Sequence, residues 1–197
     1  MSLMGTPTNS AVRPARASDA SAIAAVQALS WAHDLAGVLP DEVRPQPNSP
    51  EQISAWRESI GAPDDGPGRV IVALDDDRVV GVLAWSSASD PDLTDRDVEI
   101  VELSVDPEQR RAGHGSRLLS AWADLARGEG ARTGVAWVPA GAELIGFLGS
   151  AGFAVDGASR TLDLYGDGAL EAVTERMTTN LAPDPVAVTI EAAAPRG

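Results

Sequence analysis

The sequence predicts one α/β domain of the α+β type, built as a sheet between helices in three layers. The chain has 197 residues and is 44% hydrophobic, which suits a single core. Two helical patterns precede three β-branched runs, and helices and strands alternate after them. No internal repeat is visible. One compact domain is therefore expected.

The sequence carries a start signal and an end signal for each of the two opening helices. The first helix begins behind Ser18-Asp19, carries apolar residues at three-residue spacing and ends near Trp31. The second begins with the capping-box pattern Ser49-Pro50-Glu51-Gln52 and ends at Gly61. Before them, residues 1–10 are too polar to pack, and we expect a disordered N-terminal extension.

Apolar, β-branched runs predict the central strands. Arg69–Leu74 and Val79–Trp85 form an antiparallel pair across Asp75-Asp76-Asp77, a solvated turn rather than a metal cluster. Val98–Val105 is a third strand and carries two carboxylates. Thr133–Val138 is the next strand along the chain.

Helices and strands alternate in the rest of the domain. A third helix opens behind Gly113 and Gly115 and ends at Gly128. The later elements are a short helix at Ala142–Leu148 and closing strands at Phe153–Val155 and Thr161–Leu164.

The compact pattern spans residues 11–165. Residues 166–197 are predicted as a polar helix to about Met177 followed by a proline-punctuated tail. Val186–Ile190 has the β-branched content of a strand, which would complete the sheet or pair with a second subunit. We therefore predict a homodimer.

The composition excludes several classes of function. The chain has no Cys, hence no disulfide framework, thiolate metal site or Cys nucleophile. Its 15 basic residues are all Arg and face 29 Asp plus Glu, a formal charge of -14 that disfavours nucleic acid and anionic lipid. No membrane helix or signal peptide is apparent, so we predict a cytoplasmic protein with a cationic or neutral partner.

A glycine loop after the third strand carries the strongest chemical signal. Such a loop aims backbone N–H groups and the positive end of a helix at one spot, where an anionic phosphate fits. Arg110 and Arg111 favour an anion, although a plain tight turn stays open. The P-loop motif is excluded because the chain has no Lys, and the dinucleotide motif because Leu118 replaces its third glycine.

These residues resemble the GNAT superfamily of acetyl-CoA-dependent N-acetyltransferases, whose hallmark is Arg/Gln-x-x-Gly-x-Gly/Ala after a strand ending Val-x-Pro. Val105-Asp106-Pro107 and the run from Arg110 to Gly115 match it in order and spacing. The likeness extends from Val12 to Leu164. It implies an opening strand, a central and mostly antiparallel mixed sheet splayed beside the third strand, and acetyl-CoA as co-substrate without a metal.

The resemblance also implies how coenzyme A is held. Backbone N–H groups of the loop would bind the pyrophosphate, and the main chain at the end of the third strand would pair with the pantetheine arm. The cofactor-binding residues would be Leu103, Ser104, Val105, Arg110, Arg111, Ala112, Gly113, His114, Gly115 and Ser116.

Glu99 and Glu102 are the candidate general bases, because a protonated amine cannot attack a thioester until it loses a proton. Residues three apart in a strand point to opposite faces unless a bulge intervenes. The family strand is typically bulged, which favours Glu102 slightly over Glu99. The alternative is that both are solvated strand-edge charges.

Two family positions differ in this chain. The resemblance places Leu148 where a Tyr often protonates the leaving thiolate, and Gly141 where an Asn is frequent. Water, Ser150 or Tyr165 would have to replace that acid. These differences keep open an acyl-CoA-binding regulatory domain with little turnover.

The remaining candidates concern the acceptor and the aromatic residues. His114 is expected to point to solvent. The acceptor-site candidates are Trp31, His33 and Trp85, and the Trp residues expected in the core are Trp56, Trp122 and Trp137. The sequence thus predicts acetyl transfer to a primary amine of a small molecule or peptide, by direct attack in a ternary complex.

Overall fold

The computed structural model describes residues 10–34, 36, 49–61, 69–163, 168 and 171–182. The strands are β1 (Ser10–Pro14), β2 (Arg69–Asp75), β3 (Arg78–Ser87), β4 (Val98–Val105), β5 (Thr133–Pro139), β6 (Ala154–Asp163) and β7 (Glu171–Asn180). The helices are α1 (Ala20–Asp34), α2 (Pro50–Gly61), α3 (His114–Gly128) and α4 (Glu143–Ser150), with 3-10 turns at Ala17–Asp19 and Pro107–Gln109.

One seven-stranded sheet organises the molecule, in the order β1-β2-β3-β4-β5-β7-β6. Only β4 and β5 pair in parallel, and every other neighbouring pair is antiparallel. Helices α3 and α4 pack on one face of the sheet and contribute Leu118, Trp122 and Leu148 to the larger core. Helices α1 and α2 pack on the other face and contribute Ile23 and Trp56 to a smaller core. The predicted three-layer, mostly antiparallel mixed sheet is confirmed.

The capping signal at Ser49 works as predicted. The Gln52 N–H donates to Ser49 Oγ over 3.4 Å, and the Ile53 N–H donates to the Ser49 carbonyl over 3.0 Å. These bonds satisfy N–H groups that a helix start leaves free, so α2 begins at Pro50. By contrast, α1 continues to Asp34, beyond the predicted end near Trp31.

A bulge in β4 decides where its carboxylates point. Ala84 pairs with Glu102, but Trp85 pairs with Ile100, so Val101 is an extra residue without a partner in β3. Before the bulge, Ile100 faces the α3 side. After it, Glu102 pairs with Ala84, which faces the α1 side. Because Glu99 alternates with Ile100, both carboxylates lie on the α1 face.

The sheet splays beside β4. Only Val98–Ile100 pair with Gly134–Ala136 of β5. Beyond that point β5 continues along β7, up to the pair Pro139 and Thr174. Within the described residues, the β5-facing edge of Leu103–Val105 has no strand partner. This V-shaped opening lies beside the third strand, as the family resemblance implies.

The C-terminal part of the sheet corrects two expectations. Residues 171–180 form β7 between β5 and β6, so the polar helix predicted to Met177 is wrong. Its charged residues favour a helix in the sequence, but carboxylates from other elements pair with the buried Arg176. The two predicted closing strands are one strand, β6, with a register shift between Val155 and Ser159.

Some expectations fall outside the described residues. These are the extension up to residue 9, Tyr165, and the strand-like segment Val186–Ile190 with its role in the sheet or in dimerisation.

Candidate active site

The loop between β4 and α3 ends in an uncapped helix start. Arg111 and Gly113 have positive φ angles of 65° and 84°, and no side chain of the described residues caps α3. Intrahelical bonding begins with the Arg117 N–H, which donates to the Gly113 carbonyl over 3.1 Å. The N–H groups of His114–Ser116 therefore point out of the first turn, an arrangement that suits a phosphate-sized anion.

The glycines of this loop serve two purposes. At Gly113 the positive φ is strained for any side chain. At Gly115 a Cβ atom would lie only 3.0 Å from the Phe147 ring of α4. Gly113 therefore permits the turn, whereas Gly115 permits the close approach of α3 and α4.

The guanidinium of Arg110 is paired with a carboxylate in this structure. Its guanidinium donates to both carboxylate oxygens of Asp34 over 2.6 and 2.7 Å and to Ser30 Oγ over 3.0 Å. Its Nε also donates to the Val105 carbonyl over 3.4 Å. Arg110 therefore ties the loop to the end of α1, whereas Arg111 is exposed, and the role of this basic pair in anion binding stays a prediction.

His33 and Asp34 belong to the same cluster. His33 Nδ1 lies 3.0 Å from Asp34 Oδ1 and 3.3 Å from Arg110 Nη1. Burial alone would raise the pKa of Asp34, but the hydrogen bonds from Arg110, His33 and Ser30 hold it below its usual value. His33, an acceptor candidate, thus contacts the charged cluster at the C-terminal end of α1.

Glu102 lies in a buried polar network under α1. Gln27 Nε2 donates to its Oε2 over 2.6 Å, and Ser104 Oγ donates to its Oε1 over 2.5 Å. Trp31 Nε1 donates to the same Oε1 over 3.4 Å. Burial raises the pKa of Glu102, and the three donors only partly oppose that effect.

Glu99 is more open than Glu102. Its oxygen lies 3.8 Å from Arg160 Nη2, and the side chain is 13% exposed. Burial raises the pKa of Glu99; the charge of Arg160 opposes this rise and the charge of Asp90 adds to it. Glu99 is therefore a carboxylate in contact with a single cation among the described residues.

Trp137 shares its neighbour Arg160 with Glu99, and the prediction that Trp137 is a core residue is wrong. Its neighbours Ala136 and Val138 face the larger core, so Trp137 points to the α1 side. Its Nε1 donates to Asp90 over 3.2 Å, and the Arg160 guanidinium lies 4.2 Å from the ring centroid. An apolar stripe alone did not reveal that Trp137 sits where the sheet splays.

The other aromatic and histidine predictions have mixed outcomes. Trp56 and Trp122 are buried as predicted, and Trp31 reaches Glu102. Trp85 is 2% exposed and packs in the larger core, so the structure does not place it in an acceptor cleft. His114 is 3% exposed, which corrects the expectation that it points to solvent. Burial lowers its pKa, and the nearby Arg117 adds to this effect.

A groove of about 350 Å³ lies on the opposite face, between α3 and α4. Ser116, Phe147 and Ser150 are among its lining residues. It reaches the first turn of α3 at Ser116 but not the two carboxylates. The edge of β4, rather than this groove, connects the loop before α3 with the α1 face that carries Glu99 and Glu102.

Two features are absent from the described part of the chain. No group of three or more His, Cys, Asp or Glu residues is placed to hold a metal there. None of the helices described is both long and apolar enough to cross a membrane.

Comparison with known proteins identifies the class. The profile of the acetyltransferase (GNAT) family matches residues 31–153, more than half of the chain. The protein belongs to the GNAT acetyltransferase family and is an enzyme of the N-acetyltransferase type. A search of curated proteins finds no significant match.

Solved structures share the fold at low identity. YncA from Salmonella typhimurium, solved with acetyl-CoA, is 22% identical with a TM-score of 0.63 over 96% of this chain and 99% of its own. The PaiA N-acetyltransferase of Thermoplasma acidophilum, in complex with coenzyme A, is 16% identical with a TM-score of 0.62 (87% and 99%). An N-acetyltransferase from Staphylococcus aureus Mu50 is 20% identical with a TM-score of 0.63 (89% and 100%).

Proposed function

We propose that the protein transfers an acetyl group from acetyl-CoA to a primary amine of a small molecule or peptide, by direct attack in a ternary complex. The observation that carries this proposal is the arrangement around β4. Its edge at Leu103–Val105 has no strand partner among the described residues and leads toward a helix start that none of those residues caps, and the same strand presents Glu99 and Glu102 on the α1 face.

The residues present fit coenzyme A. The free N–H groups of His114–Ser116 suit the pyrophosphate, and the open main chain of Leu103–Val105 suits the amide-bearing pantetheine arm. Arg111 and Ala112 contribute the turn before Gly113. Arg110 acts through Asp34, because its guanidinium is bound there. The structures of YncA with acetyl-CoA and PaiA with coenzyme A support this reading.

The reaction requires proton transfers at both the nitrogen and the sulfur. An amine arrives mostly as an ammonium ion and must lose one proton before its nitrogen attacks the thioester carbon. The new C–N bond forms and the nitrogen loses a second proton; the C–S bond breaks and the departing thiolate takes up one proton, so one proton is released overall. A backbone N–H near Leu103–Val105 would stabilise the oxyanion, a role independent of side-chain identity.

Glu99 fits the general base better than Glu102. A base must reach the proton that it removes. Glu102 is 9% exposed and accepts hydrogen bonds from Gln27, Ser104 and Trp31, so it positions α1 against β4. Glu99 is partly exposed, and its raised pKa makes it a stronger proton acceptor.

The position from which family members often protonate the thiolate holds Leu148 in this chain, and its side chain has no proton to donate. Leu148 is 1% exposed and apolar, and Ser150 Oγ donates to the Phe147 carbonyl over 2.7 Å. A thiol has a pKa of about 8.5, so its thiolate leaves without full protonation. Water is then the simplest proton source, at some cost in rate.

Leu148 also supports a second candidate function, an acyl-CoA-binding regulatory domain with little turnover. The buried position of Leu148 leaves no acid at that site. Such a domain would bind acetyl-CoA with the same loop and release no thiol. A longer acyl donor is a further variant of the same chemistry.

The first test is calorimetric titration of acetyl-CoA and coenzyme A, followed by thiol release in the same samples with a panel of amines. Binding with thiol release supports the enzyme. Binding without release for any amine supports the regulatory domain. Absence of binding by both ligands overturns the whole proposal.

Matched variants then test the base. Glu99→Gln should lower kcat by about 10²–10⁴-fold, as expected for loss of a general base, with an unchanged dissociation constant for acetyl-CoA. The acidic limb of the pH–rate profile should disappear as well. Glu102→Gln is the control, and a larger kcat loss in that variant would assign the base to Glu102 instead.

We also propose that the protein acts in the cytoplasm as a homodimer. The edge strand β6 supports dimerisation, because Val155 and Leu162 are exposed along it. Light scattering on the purified chain tests this, and a monomer mass at micromolar concentration would contradict it.

A further inference from the structure

Trp137 occupies the vertex of the splayed sheet. Ala136 is the last residue of β5 that pairs with β4, and Trp137 follows it on the α1 face. Glu99 lies on the same face of β4. The indole therefore borders the point where the unpaired β4 edge begins, next to the carboxylate proposed as general base.

The surroundings of this indole carry an excess of negative charge. Two guanidinium groups and four carboxylates lie there among the described residues, namely Arg160, Arg176, Asp90, Asp92, Glu99 and Asp156. Asp92 and Asp156 are each within 2.7 Å of Arg176 and satisfy it. Asp90 lies 3.6 Å from Arg176 and accepts the hydrogen bond of Trp137 Nε1, so Glu99 is the carboxylate of this group that faces the other cation.

Arg160 is held far less firmly than Arg176. Its side chain is 40% exposed, against 10% for Arg176. Its carboxylate contact among the described residues is Glu99 at 3.8 Å, too long for a hydrogen bond. Arg160 also contacts the ring face of Trp137, where its guanidinium carbon lies 4.2 Å from the ring centroid. A cation on an aromatic face beside a carboxylate is the arrangement that binds ammonium ligands.

Arg160 thus marks a place where a positive charge is favoured and replaceable. We infer that the Trp137 ring face, between Glu99 and Asp90, is a subsite for the cationic group of the acceptor, and that Arg160 fills it until the acceptor displaces it. This inference rests on the proposed function, because it places the amine next to the proposed base. The substrate class it names is a cationic amine that arrives protonated, rather than a neutral aryl amine.

The test uses indole N–H signals of 15N-labelled full-length protein, with tetramethylammonium as the cation and tert-butanol as a neutral molecule of similar shape. Loss of one of the five Trp signals in Trp137→Phe assigns the reporter. Tetramethylammonium should shift that signal, and its dissociation constant in Arg160→Gln should fall by about 2-fold to 30-fold relative to the wild type.

Two controls separate local from general effects. Arg57→Gln removes the same charge from an exposed position on α2 and should leave the dissociation constant at the wild-type value. Arg160→Lys retains a cation and should give a smaller gain than Arg160→Gln. The four other indole signals report that each variant is folded.

Equal affinities in the wild type and Arg160→Gln would overturn the inference, as would an equal shift with tert-butanol. An equal gain in Arg57→Gln would also overturn it, because net charge alone would then explain the binding. Coenzyme A is absent from these samples. Failure of the cation subsite is therefore distinct from failure of acetyl-CoA binding, which calorimetry measures separately.

Discussion

Gln27 determines how the buried Glu102 carboxyl group is satisfied. Trp56 Nε1 donates to Gln27 Oε1 over 3.0 Å, and Gln52 Nε2 donates to the same oxygen over 2.7 Å. An indole N–H can only donate, so the oxygen of Gln27 must face Trp56 and its amide must face Glu102. The network therefore presents hydrogen-bond donors to residue 102, so the side chain at that position must supply the acceptors.

Glu102→Gln should lower the free energy of unfolding by about 1–3 kcal/mol, because the new amide brings a donor toward donors in a buried site. Urea unfolding across pH 5–8 measures this. Burial raises the pKa of Glu102, so the folded state keeps its proton to higher pH than the unfolded state. That contribution to stability is lost as pH rises, and the gap between wild type and variant should narrow toward pH 8.

A gap that widens with pH would show that Glu102 is stabilised as a carboxylate in the folded state. Glu99→Gln is the matched control, since the same change is made three residues away on the same face of β4. It should reduce stability less, because no hydrogen bond from the described residues to Glu99 would be lost.

Among the elements described, one side chain, that of Arg110, joins α1 to the loop between β4 and α3 by hydrogen bonds. Arg110 spans from the Val105 carbonyl at the end of β4 to Asp34 and Ser30 at the end of α1. Paired bonds from one guanidinium to one carboxylate fix orientation as well as distance. The loop proposed to bind the pyrophosphate and the helix that carries Trp31 are thereby held in one arrangement.

Arg110→Ala should speed hydrogen exchange of the amides at Ser30–Asp34 by about 5-fold, the equivalent of about 1 kcal/mol for a partly exposed ion pair. Mass-spectrometric exchange measures it without any ligand. Arg111→Ala is the control, because it removes the same charge from the next, exposed residue. Equal exchange in the two variants would mean that Arg110 does not fasten α1.

At the scale of the whole molecule, local signals predicted most of the sheet but not its C-terminal part. β4 and the ends of α2 and α3 follow from β-branched runs, a capping box and terminal glycines. β7 was missed because its polarity comes from charges that other elements neutralise, Arg176 above all. Spacing alone puts Glu99 and Glu102 on opposite faces; one extra residue in the pairing brings them to the same face, and the family resemblance rather than the local pattern led us to expect that bulge.

Met177→Ala should lower the free energy of unfolding by about 2–5 kcal/mol, the usual loss for a large core side chain. Met177 is 2% exposed and belongs to the larger core. Val173→Ala on the same strand, where the side chain is 50% exposed, should change stability by about 0.5 kcal/mol or less. Similar losses in both variants, measured by urea unfolding, would contradict the placement of β7 in the sheet.

The insertion of β7 between β5 and β6 also sets the order of events during synthesis. β5 and β6 are made first, yet neither pairs with the other; each pairs with β7. A ribosome must therefore deliver the chain through Asn180 before the last three strands can join. Until then the nascent chain exposes the open edge of β5, and a stall in this interval leaves it open to chaperones or aggregation.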